Sequence, residues 1–150
     1  MKRLLIGLCI LTLAGATGTA ARADSDPAAA VTADLTQLVS DATALHDAVT
    51  ADANKITADA SANASRATLQ ADFQQVQSDR QKLVPPVLAD WKQLTTDLKA
   101  ARAAKVDPST VRQALQQAAQ QLKQEVQDVV TALKAAHQAT QALRQSQHKK

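Results

Sequence analysis

The side chains of this chain best suited to proton transfer or metal ligation are His46, His137 and His148. None has a second histidine three or four positions away, and the one cysteine, Cys9, sits in an apolar run near the start. A zinc site would need two or three further ligands brought from distant segments. Aspartates recur seven residues apart, about 10 Å along a helix, which is too far for two carboxylates to share a glycosidic bond. A calcium loop would need several oxygen ligands within a dozen residues and a glycine at its turn. The only glycines are Gly7, Gly15 and Gly18, so from Asp24 onward neither a serine elbow nor a phosphate-cradling loop can be built. These patterns predict no catalytic, cofactor-binding or metal-binding residues, no cofactor, and no enzyme activity. The remaining candidates are contacts to a partner: Trp91, and the basic residues Arg112, Lys123, Lys134 and Arg144.

What must position those residues begins with an export signal. Lys2 and Arg3 precede an apolar run from Leu4 to Leu13, and small residues close with Ala21-Arg22-Ala23. Residues 1–23 therefore read as a cleaved signal peptide and 24–150 as one helical domain, periplasmic or secreted. No later stretch is apolar enough to span a membrane. The domain carries 14 basic and 14 acidic residues, unevenly spread. From Asp24 to Asp79, nine aspartates face Lys55 and Arg66; from Arg80 onward, twelve basic residues face five acidic ones. With Phe73 and Trp91 the only aromatics and no net positive charge, nucleic-acid binding is not expected.

Asp26-Pro27 and Asp107-Pro108 place a capping aspartate before a proline suited to the first helical turn. Pro85-Pro86 should kink or end a helix, with Trp91 filling core space beside the kink. Ser61-Ala62-Asn63-Ala64-Ser65 has no large apolar residue and reads as a turn. Apolar residues at three- and four-residue steps then predict helices near 27–60, 66–104 and 108–145. The expected fold is all-α, an elongated antiparallel three-helix bundle of coiled-coil character.

A nine-residue unit occurs four times, opening at Ala33-Asp34-Leu35, Ala51-Asp52-Ala53, Ala71-Asp72-Phe73 and Ala89-Asp90-Trp91, and ending in Asp41, Asp59, Asp79 and Asp97. Its third and sixth positions should face the core, with the aspartates beside that seam. In the last helix, Val111-Arg112, Leu122-Lys123 and Leu133-Lys134 recur at eleven residues, and Leu143-Arg144 follows after ten. An eleven-residue period keeps one edge of a nearly straight helix basic. Acidic edges on the first two helices and a basic edge on the third predict packing in which the opposite edges meet.

The functional expectation is an exported structural or interaction protein that acts through its helix faces, by self-assembly or by binding a protein partner. A holdase-like stress chaperone is the alternative. A lesser one is peripheral contact of the basic last helix with an anionic lipid or polymer surface.

Overall fold

The computed structural model describes residues 26–148, with side chains to Gln147; the signal-peptide reading of Met1–Ala23 lies outside the described residues, as does the His148 side chain. The described chain forms three helices: α1 (Pro27–Ser61), α2 (Arg66–Ala103) and α3 (Ser109–His148). Each start has a side-chain cap. Asp26 Oδ1 accepts from Ala28 N–H at 3.0 Å, Ser65 Oγ from Thr68 N–H at 3.1 Å, and Asp107 Oδ1 from Ser109 N–H at 2.9 Å.

Both turns between helices reverse through one residue with positive φ, Asn63 in the first and Lys105 in the second, at the left-handed position glycine usually fills. The N–H of Ala64 bonds back to Asp59 O at 2.9 Å, and that of Val106 to Ala101 O at 3.0 Å, closing each helix end in the same way.

These two tight turns lay three rods of about 50–60 Å side by side, at about 1.5 Å per residue. The helices pack against one another as a bundle with α1 at its centre. It packs along both neighbours, whereas among the described residues no Cα of α2 comes within 8 Å of a Cα of α3. Packed helices lie about 8–10 Å axis to axis, so α2 and α3 stand further apart than a packed pair.

Two apolar clusters hold the rods together. Near the first turn, Val49, Ala53, Ile56 and Ala60 of α1 meet Leu69 and Val76 of α2 and Ala136 and Leu143 of α3. At the other end, Val31, Leu35 and Leu38 meet Leu94 and Ala101 of α2 and Val111 and Ala118 of α3. Between the clusters the α1–α3 seam is polar. Thr43 Oγ1 donates to Glu125 Oε1 at 2.6 Å, and His46 Nε2 lies 3.9 Å from Asp128.

One open expectation is decided and two need correction. First, of the kink or end expected at Pro85 and Pro86, the end does not occur: α2 runs on through them as one helix, over the span expected for it. The carbonyls of Gln81 and Lys82, deprived of their usual donors, belong to exposed residues and can be hydrated. Second, Trp91 is 57% exposed and Phe73 39%. These are the third positions of the two α2 units; the equivalent Leu35 and Ala53 of α1 are buried. The reason is topological: α1 has a closely packed helix on each side and buries a broad face, whereas α2 packs closely only along α1 and buries a narrower stripe. Third, the opposite charged edges do not meet. Among the described residues no ion pair joins Arg112, Lys123, Lys134 or Arg144 to the aspartates of α1 and α2.

Candidate functional site

Between α2 and α3 runs a groove, hollowed at each end into a cleft lined by these two helices and the adjoining turn. One end is a cleft of about 570 Å³ lined by Leu98, Ala101 and Arg102 of α2, Val106 and Pro108 of the turn, and Val111, Arg112 and Leu115 of α3, among others. The other is a cleft of about 740 Å³ between Arg66, Leu69 and Phe73 of α2 and Thr140, Leu143 and Arg144 of α3. A third hollow of about 350 Å³ lies on α2 between them, formed by Gln77, Arg80, Gln81, Val84 and Pro85.

Helical phase shows what lies between the ends. Trp91 follows Phe73 by eighteen residues, five full turns, so both stand on the same flank of α2. Val126 follows Leu115, and Val130 follows Ala119, by eleven residues, about three turns. The two valines are 63% and 43% exposed. Four of the five exposed large apolar residues among the described residues therefore border the groove, a concentration that marks interaction surfaces.

The charge at the groove is one-sided. All five arginines of the described chain, Arg66, Arg80, Arg102, Arg112 and Arg144, line one of the three hollows, and no aspartate or glutamate does. None of the five has an ion-pair partner among the described residues. Of the partner-contact candidates, Arg112 and Arg144 sit at the two ends, Lys123 and Lys134 follow Arg112 in phase on the same edge of α3, and Trp91 stands on the facing flank of α2. The contribution of Arg66, Arg80 and Arg102 escaped sequence reasoning because α2 shows no regular basic period.

On the other side of α2 runs a ladder of carboxylates. The aspartates of α1, Asp34, Asp41, Asp52 and Asp59, are spaced seven, eleven and seven residues apart; those of α2, Asp97, Asp90, Asp79 and Asp72, are spaced identically in reverse. The hairpin therefore brings like charges face to face. Asp41 lies within hydrogen-bonding reach of Asp90, Asp52 of Asp79, and Asp59 of Asp72. The same register sets Asp34 opposite Asp97. Each rung joins the second residue of one nine-residue unit to the ninth of another. The ninth-position aspartate always accepts from the fifth-position side chain one turn earlier: Gln37 to Asp41 (3.1 Å), Lys55 to Asp59 (2.6 Å), Gln75 to Asp79 (2.9 Å) and Gln93 to Asp97 (3.2 Å).

His46 and His137 stand apart from one another, each beside a neighbour on its own helix. His46 Nδ1 is 2.9 Å from Asp47 Oδ1, and His137 Nε2 is 2.9 Å from Gln141 Nε2. Among the described residues no three histidine, cysteine or acidic side chains converge as a metal site, and no helix is long and apolar enough to cross a membrane. Comparison with known protein families, curated proteins and solved structures finds no match for this chain.

Proposed function

We propose that this is an exported, non-enzymatic interaction protein that takes an acidic amphipathic helix of a partner protein into the groove between α2 and α3. The observation that carries the reading is a groove with a largely apolar cleft at one end and a mixed lining beyond it, whose hollows are lined by five arginines without ion-pair partners and by no acidic residue, Asp107 beside Arg112 being the one carboxylate close by. A helix with one apolar and one acidic face would cover Phe73, Trp91, Val126 and Val130 and meet the guanidiniums at its edges. Burial of apolar surface would supply most of the affinity, and the charges would steer encounter and orientation. Such a helix would supply the second neighbour that α2 lacks.

Trp91 is the only tryptophan and reports on the groove directly. Titration with a synthetic acidic amphipathic helix should shift its emission to the blue, saturably and less strongly at high salt, while a basic peptide of equal hydrophobicity leaves it unchanged. No shift and no heat of binding would overturn the proposal, as would an equal response to anionic vesicles, which would transfer the groove to a lipid surface. The exposed apolar flanks also favour a second reading, a holdase for unfolded clients. Suppression of client aggregation without any preference for acidic peptides would select it.

A further inference from the structure

We propose that the α1–α2 hairpin is a proton-held clamp, in which one proton bridges the two facing carboxyls at Asp41–Asp90 and at Asp52–Asp79, so that the hairpin tightens in acid and loosens as the pH rises. The proposal stands on the pairing geometry and is independent of what the groove binds. In these two rungs the second-position aspartates, Asp52 and Asp90, each have a buried Oδ2 with no donor. Their partners Asp79 and Asp41 already accept from Gln75 and Gln37. The donor each rung lacks is supplied if the second-position carboxyl is protonated and its O–H donates to the facing carboxylate.

The rung nearest the turn differs in having a cation between its carboxylates, although Asp72 Oδ2 is also buried without a donor. There the fifth-position residue is Lys55 rather than glutamine, and its ammonium donates at 2.6 Å to both Asp59 and Asp72. A fixed positive charge stands where the other rungs have only an amide. The charged neighbours of the Asp52–Asp79 rung are Asp72 and Lys55, with Lys82 3.9 Å from Asp79. Around Asp90 the acting charge is Asp41. From α3, no described group hydrogen-bonds or ion-pairs with either rung. Thr43 and His46, which reach α3, stand well round α1 from Asp41 in helical phase.

The electrostatics agree in direction. Burial, then the charge of and hydrogen bond to Asp79, push the Asp52 carboxyl above the ordinary aspartate value of 3.8, with Lys55 opposing; burial and Asp41 do the same for Asp90. A carboxyl that holds its proton more tightly when folded stabilises the fold fully below 3.8 and loses that contribution as pH rises through its folded value. Because α2 packs closely only along α1, the clamp also bears on how firmly one wall of the groove is held.

The test is the melting temperature of the mature chain from mildly acid to neutral pH, followed by circular dichroism. The parent should lose stability as pH rises above the ordinary aspartate range. Gln75→Lys should reproduce at Asp52–Asp79 the bridge that Lys55 makes, and Asp90→Asn should replace the shared proton with an amide donor. Together they should raise the melting temperature at neutral pH and flatten its pH dependence. In the unaltered protein, carbon-detected NMR titration should show Asp52 and Asp90 releasing protons above the ordinary aspartate range. Titration of both at or below that range would overturn the clamp whatever the variants do. So would a neutral-pH stabilisation by calcium equal to that given by acid, which would make the rungs cation sites.

Discussion

Lys55 Nζ on α1 reaches Asp72 Oδ1 on α2 at 2.6 Å, joining the two helices beside their turn by an ion pair in which the aspartate side chain is 9% exposed and the lysine largely solvated. Lys55→Gln would give this unit the residue that the other three carry. Asp72, buried beside Asp59, would then lose the cation that bridges the two. The expected outcome is a melting temperature lowered at neutral pH, with the difference from the parent shrinking as the carboxylates protonate in acid. The sign follows from Asp59, which Lys55 chiefly, and Asp72 with it, hold below the ordinary carboxylate range. Its contribution is present above 3.8 and is lost as pH falls through the lowered value. Thermal melts of parent and variant at two pH values check it.

The two apolar clusters and the groove should separate cleanly under truncation. Ile56 and Leu38 are 0% and 1% exposed, so Ile56→Ala or Leu38→Ala removes packed methylenes and should cost about 2–5 kcal/mol in denaturant unfolding. Trp91→Ala should change stability by about 0.5 kcal/mol or less, as expected of an exposed side chain. The same variant should weaken capture of the acidic helix severalfold, with Phe73→Ala reporting the peptide's effect through the retained tryptophan.

Much of this fold was legible from spacing. Leu35, Leu38, Val49 and Ile56 mark the buried stripe of α1 by their three- and four-residue steps, and the segment Ser61–Ser65, without a large apolar residue, marks the first reversal. What spacing could not say is how many neighbours each stripe would have. The same nine-residue unit buries its third residue at Leu35 and Ala53 but exposes it at Phe73 and Trp91, because only α1 is flanked on both sides. The carboxylate ladder was hidden for a related reason. The aspartates visibly edge each helix, but only folding back at residues 62–65 shows the two edges to be mirror images that face each other rather than the basic edge of α3.

Whether a proline pair ends a helix depends on where the bereft carbonyls point, which spacing does not show. With Gln81 and Lys82 exposed, hydration replaces the missing bonds and α2 continues. The cost is still carried by the fold. Proline in a helix interior is about 3 kcal/mol less favourable than alanine. Pro86→Ala should therefore raise stability, by up to about that amount, without altering the helical content seen by circular dichroism. A loss of stability would mean that the prolines pack against a neighbour.

Lys105 is the sharper case of local cost, since its left-handed backbone carries a β-carbon where glycine is favoured. Asn63 tolerates the same geometry at the other turn because asparagine is among the residues that visit it most readily. Lys105→Gly should relieve crowding of the β-carbon, partly offset by the greater freedom of glycine in the unfolded chain. A net gain of about 0.5–1 kcal/mol in denaturant unfolding is expected, with Asn63→Gly gaining less. The position carries no ion pair among the described residues, so the charge change itself should contribute little. If Lys105→Gly instead loosened the junction between α2 and α3, the cleft bounded by Leu98, Val106 and Val111 would be disturbed. Peptide affinity would then fall together with stability, and the turn would be shown to set the width of the groove.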